Sequence, residues 1–210
     1  MRLSRRPGPD RGRTRAVRAR PPDEIRVPSV RGGAYGAAMP GLESLRPDHA
    51  PALLAFEREN RAWFAASVPD RGDAYFEEFE ERHRALLDEQ ETGAILFHVL
   101  VGDDGEILGR FNLVDVADGS AELGYRVARK AAGRGVATAG VREVCRLAAR
   151  VHGLRTLRAA TTLDNAGSRA VLARTGFVPV GEETFDGRPG LSYVLDLGGS
   201  FGRERSGTES

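Results

Sequence analysis

Apolar and polar residues alternate through Ala121–Val127 (AELGYRV), which places Leu123, Tyr125 and Val127 on one face of a predicted strand. Further on, Val141, Val144, Cys145 and Ala148 recur at i, i+3, i+4 and i+7, the spacing of one face of a helix. Between them lies Gly133-Arg134-Gly135-Val136-Ala137. The pattern therefore predicts a strand, a glycine turn and a helix N-terminus. Two glycines let the backbone approach a ligand closely. The first helical N–H groups have no partners inside the helix, and the macrodipole adds to their attraction for an anion such as a pyrophosphate. A dinucleotide-binding fingerprint would need a third glycine that is absent here, and a Walker loop would need a Gly-Lys-Ser/Thr run that is also absent.

The remaining pattern fills in one domain. Leu42–Leu45 reads as a short first strand, and Pro47-Asp48 signals a helix start. A helix from His49 to about Arg61 would bury Leu53, Leu54 and Phe56. A second, after Asp73, carries Phe76, Phe79, His83, Leu86 and Leu87 on one stripe. Ile95–Val101 and Ile107–Val116 read as strands joined by the hairpin turn Gly102-Asp103-Asp104-Gly105. Beyond the central unit, Gly153 ends the long helix and Leu157–Thr161 is a fifth strand. Ala166–Arg174 is a short helix stopped at Gly176. Phe177–Val180 and Leu191–Leu197 are the last strands, joined by a polar loop. The expected order is β-αα-βββ-α-β-α-ββ, an α/β fold with a mixed sheet.

Composition narrows the class. A 40% hydrophobic and 29% charged chain has enough apolar surface for a packed core, and no stretch approaches the eighteen or so apolar residues of a membrane span. A cytoplasmic location is expected. One cysteine excludes an internal disulfide, and the four histidines (His49, His83, His98, His152) lack metal-ligand spacing, so no metal is expected. Residues 1–38 hold ten arginines against Asp10, Asp23 and Glu24, a surplus of +7; with a whole-chain charge of +1, the remainder carries −6. That mild acidity suits a basic or amine-bearing acceptor. The 1–38 segment is rich in Arg, Pro and Gly without apolar periodicity, so it is expected to be disordered and dispensable for catalysis. An RNA-binding arm and a transit peptide are the other readings of it. Residues 39–197 form the expected domain, and 198–210 a disordered tail.

The glycine turn is followed by Asn165-Ala166-Gly167-Ser168 and then Gly176-Phe177. With these blocks in this order, the chain from about Leu42 to Leu197 resembles the GNAT superfamily of acyl-CoA N-acyltransferases. The segments ENRAWF, AELGYRV and NAGSRAVLARTGF are similar to its ribosomal-protein alanine N-acetyltransferase branch. The resemblance implies a mostly antiparallel mixed sheet flanked by helices. It also implies acetyl-CoA as co-substrate, a primary amine as acceptor, and a monomer or homodimer. Coenzyme contacts carry over to Val127, Ala132, Gly133, Arg134, Gly135, Val136, Ala137, Thr138 and Asn165. Relatives often carry Gln or Arg where Ala132 stands, so one side-chain contact is missing, while main-chain donors supply the rest.

Acetyl transfer from a thioester to an amine needs a base for the amine and a proton for the thiolate. Glu122 faces away from Leu123 on the strand, so with Leu123 in the core it points toward the cleft. The resemblance makes it the general base; the competing reading is a structural carboxylate paired with an arginine. Many relatives place an acidic tyrosine four residues before the Gly-Phe pair, a position occupied here by Leu172. Ser168 is then the alternative proton donor, or a helix-start serine bonded to backbone. Asn165 either contacts the coenzyme or only caps the helix. Cys145 lies on the apolar stripe as a core residue. Trp63 either lines the acceptor cleft or caps the first helix.

The function that follows is N-acetylation, with a protein N-terminal α-amine as acceptor and a small amine or antibiotic as the alternative. A non-catalytic acyl-CoA-binding module would also fit the loss of the tyrosine. Nucleic-acid binding is disfavoured, because no aromatic residues are interleaved with the N-terminal arginines for base stacking.

Overall fold

A computed structural model describes residues 41–201; the 1–38 segment and residues 202–210 lie outside the described residues. Seven strands form one sheet: β1 (Gly41–Ser44), β2 (Leu96–Val101), β3 (Ile107–Ala117), β4 (Ser120–Val127), β5 (Thr156–Thr162), β6 (Val178–Phe185) and β7 (Arg188–Asp196). Their order is β1-β2-β3-β4-β5-β7-β6. Every neighbouring pair is antiparallel except β4 and β5, which are parallel. Two-residue Asp-Gly turns make two of the hairpins. Asp118 and Gly119 (φ 51° and 76°) join β3 to β4, and Asp186 and Gly187 (φ 50° and 79°) join β6 to β7. Positive φ at both central residues suits the twist of paired strands. The second hairpin corrects the expected polar loop: β6 runs on to Phe185 and β7 begins at Arg188.

The two expected N-terminal helices are both shorter than the pattern suggests. The first, expected to run to about Arg61, ends as α1 (Ala50–Glu59) at Asn60, whose side-chain amide donates to Phe56 O at 2.9 Å, and a separate short α2 (Arg61–Ala65) follows where the sequence reads as a turn. The second becomes α3 (Asp73–Glu77) and α4 (Phe79–Thr92), the latter closed by Gly93 at φ 79°. The later helices are α5 (Val136–Arg150), α6 (Ala166–Arg174) and α7 (Leu197–Ser200). The short α7 stands where the sequence reading began the C-terminal tail; Asp196 caps it by accepting from Gly198 N at 2.8 Å.

Each sheet face carries its own core. On one, Val141, Val144, Cys145 and Ala148 of α5 are fully buried against Phe111, Leu113, Ala121 and Leu123. On the other, Leu53, Phe56, Phe79, Phe97 and Val99 pack together, joining α1 and α4 to β2. The approach of α5 to the sheet is close enough to require Gly140: a Cβ there would lie 2.1 Å from the Phe111 ring. The central unit is thus held rigidly from both sides, which fixes the turn between β4 and α5.

Candidate active site

That turn is shaped by its glycines. Gly133 and Gly135 sit at φ 74° and 79°, with open space where a Cβ would project. They are needed for backbone conformation, since L side chains resist this region. Gly135 is the N-cap of α5 and no side chain caps the helix. The N–H groups of Val136, Ala137 and Thr138 in its first turn therefore await an external acceptor. Ala132, Gly133, Arg134 and Gly135 are exposed beside them, with Arg134 the one charged side chain of the loop. A polyanion meets main-chain donors, a helix dipole and one guanidinium here.

The neighbouring strands part to form a fork. β4 and β5 pair only over Ser120–Glu122 against Thr156–Arg158. Beyond that point β4 continues with β3 to Val127, while β5 continues with β7 to Thr162. The facing edges of the two strands present main-chain groups to an extended ligand with amides of its own. Glu122 stands at the crotch of this fork. Its neighbours Ala121 and Leu123 are buried on the α5 side, so its carboxylate takes the opposite face, and Glu122 is exposed. The nearest cross-strand cation, Arg158, donates instead to Ser120 Oγ at 3.0 Å. Among the described residues Glu122 has no ion-pair partner, so its carboxylate is not held by an arginine.

Ser168 and Asn165 meet at the open end. Asn165 caps α6, its Oδ1 accepting from Ser168 N at 3.0 Å. The Ser168 hydroxyl is not spent on the backbone: Oγ lies 3.0 Å from the Tyr125 hydroxyl, across the fork from β4. Tyr125 was legible in the sequence only as one of three apolar strand positions. Burial raises its pKa, with the Ser168 hydrogen bond pulling the other way, so the phenol stays protonated and supplies an O–H. Leu172 is fully buried in the core and points at no part of the cleft.

The ENRAWF segment ties this site to the helices of the other face. Asn60 Oδ1 accepts from Arg129 N at 2.8 Å, which fixes α2 to the entry of the glycine turn. Trp63 is 44% exposed and its indole N–H donates to Val127 O at 3.3 Å. Of the two readings for Trp63, this contact favours the cleft mouth, at the C-terminal end of β4. On the same face Arg126 reaches Glu57 of α1, a contact with no local sequence signal.

Cys145 takes no part, being fully buried with its thiol pushed up to about 12 by desolvation. Among the described residues no three metal-ligating side chains gather, and no helix is long and apolar enough to cross a membrane.

Comparison with known proteins gives the site its context. No curated protein sequence matches the chain. Among solved structures, a ribosomal-protein-S5-alanine acetyltransferase from Vibrio fischeri superimposes with a TM-score of 0.72 at 19% identity, over 78% of this chain and 96% of its own. Mycobacterium smegmatis RimJ in complex with CoA-disulfide gives 0.69 at 25% identity, over 76% and 82%. A Vibrio cholerae and hSSAT chimera of spermidine N-acetyltransferase SpeG gives 0.63 at 16%, over 77% and 98%. The acetyltransferase (GNAT) domain matches residues 41–178, the span that holds the glycine turn, the fork and α6. The chain belongs to the GNAT family, and is an N-acetyltransferase that uses acetyl-CoA as co-substrate.

Proposed function

We propose that the enzyme acetylates the α-amine of a peptide N-terminus, by direct attack of the amine on the thioester. The observation that carries this reading is an exposed, unpaired Glu122 at the crotch of the fork, without the tyrosine many relatives place at the Leu172 position. The coenzyme's pyrophosphate is held by the N–H groups of Val136–Thr138, with Arg134 beside them, and its amide-bearing arm lies between β4 and β5. Val127 and Asn165 flank that arm. The amine nitrogen forms a bond to the carbonyl carbon and gives its proton to Glu122, directly or through water. The carbon–sulfur bond then breaks and the thiolate takes a proton from Ser168, which is resupplied by Tyr125 O–H. The likeness to acetyltransferases named for ribosomal proteins S5 and L7/L12 supports a protein N-terminus. The likeness to a spermidine acetyltransferase makes a small amine the second reading.

Glu122→Gln tests the assignment. Removing a general base costs about 10²-fold or more in kcat/KM at pH 7. The deficit shrinks as pH rises, because the acceptor then arrives deprotonated. Wild-type activity of the variant at pH 7 would remove Glu122 from the chemistry.

A further inference from the structure

Glu57, in α1, is 1% exposed at its side chain, yet three arginines converge on it. Arg110 Nη1 of β3 lies 2.8 Å from Oε1, Arg126 Nη1 of β4 lies 3.3 Å from Oε2, and Arg71 Nε, from the loop before α3, lies 3.7 Å from Oε2. One carboxylate thus faces three guanidinium groups. Arg110 is 7% exposed and Arg126 18% at their side chains, and the Nε atoms of Arg71 and Arg110 are buried without a hydrogen-bond partner. Desolvation, with Arg71 next in effect, lowers the Arg126 pKa to about 10, so its guanidinium remains charged at neutral pH. Aromatic rings hold them in place: Arg71 stacks on Tyr75, Arg110 on Phe97 and Arg126 on Phe64. The nearby Arg61 is already committed to Asp70 and Asp73, at 2.5 and 2.6 Å.

Beside these guanidinium groups opens a small surface recess, lined by Glu57, Phe64, Asp70, Arg71, Phe76 and Arg126. Buried donors without acceptors and an uncompensated charge are both costly, and an entering carboxylate would relieve both. The cleft adjoins the acceptor side. Arg126 shares a strand face with Glu122, four residues away, or about 13 Å at the rise of a β-strand. Phe64 lies next to Trp63, which contacts the end of β4. An extended peptide with its α-amine near Glu122 would bring a side chain from its second to fourth residue to Arg126 and Arg71.

We propose that this cleft is an acceptor subsite for a carboxylate, selecting peptide N-termini with Asp or Glu at the second to fourth position. The inference rests on the peptide reading above. It runs against the net −6 carried outside residues 1–38, because here Arg71, Arg110 and Arg126 outnumber Glu57, and Asp70 is paired with Arg61.

The experiment pairs two peptides, Ala-Ala-Glu-Ala-amide and Ala-Ala-Gln-Ala-amide, in acetyl transfer and, in Nα-acetylated form, in calorimetry with the CoA-loaded enzyme. One charge-assisted pair with a guanidinium is expected to favour the acidic peptide about tenfold in both readouts. Arg71→Gln, at a half-buried loop position, should bring that ratio toward one while the melting temperature holds; Arg126→Gln is the second variant. Equal kcat/KM and equal affinity for the two peptides, or a ratio unmoved by Arg71→Gln, would overturn the subsite. If neither peptide is acetylated, the peptide reading falls. Calorimetry then still decides the carboxylate site: tighter, Arg71-dependent binding of the acidic peptide supports it, and equal binding ends it.

Discussion

The Tyr125 phenol, raised in pKa by burial and set 3.0 Å from Ser168 Oγ, is available as a donor at neutral pH. Glu122 could be read from the sequence because period-two alternation fixes which way a strand residue faces. Tyr125 could not, since the same alternation says nothing of what lies across the fork, and α6 comes more than forty residues later in the chain. Asn165 was left between two roles by the sequence; the structure gives it the cap, and its bond to the coenzyme is part of the proposal. A second residue-scale consequence lies at His98, buried on β2 beside His152. Desolvation chiefly, and His152 to a lesser extent, lower its pKa to about 4, against about 6.5 in an unfolded chain. The folded state therefore holds His98 neutral while the unfolded state takes up a proton as pH falls below 6.5. Stability is full above that pH and declines toward pH 4, by at most about 3 kcal/mol. His98→Leu should flatten the fall in melting temperature between pH 6.5 and 4.5; an unchanged slope would exclude His98 as its source.

Two elements depend on glycine for different reasons. Gly135 is required by φ at the α5 N-cap, where open space surrounds its Cα. Gly135→Glu would put a carboxylate against the coenzyme pyrophosphate, so calorimetry should show acetyl-CoA affinity reduced by orders of magnitude, with the fold intact and the melting temperature lowered by a few degrees through strain at φ 79°. Unchanged affinity would sink the assignment of the turn. Gly140 is required by contact, because its Cβ would enter the Phe111 ring. Gly140→Ala should cost about 1–3 kcal/mol by overpacking, seen as a melting temperature lower by several degrees. The first glycine was legible from the turn and helix pattern. The second was not, as the facing Phe111 is 29 residues upstream on β3. Among the other elements, the Asp186-Gly187 hairpin carried its own local signal, a Asp-Gly pair between strand-like runs. The end of the first helix near Arg61 was expected, but the short α2 after it had no such signal; Asn60, at its N-cap, bonds across to Arg129, just before the glycine turn.

At the scale of the molecule, the fold was readable because each core face is written into local periodicity, β4 and α5 above all. The arginine cluster was not, since Glu57, Arg71, Arg110 and Arg126 come from four separate segments and only the packing of α1 on the sheet unites them. Net charge, read over the residues outside 1–38, pointed the other way. The acceptor class remains the claim on which the chemistry turns. An α-amine has a pKa of about 7.8 and a lysine side chain about 10.4, so at pH 7 about one in seven and one in 2,500 are neutral. Supplying the lysine form costs about 3.5 kcal/mol more. A single carboxylate at the fork, with Leu172 in place of the common tyrosine, fits the easier acceptor. The decisive measurement is kcat/KM with acetyl-CoA for a lysine-free peptide with a free α-amine, against its Nα-blocked counterpart carrying one lysine. At pH 7 the free α-amine should win by about 100-fold or more, with the ratio narrowing as pH approaches 10. Faster acetylation of the lysine at pH 7 would contradict the account.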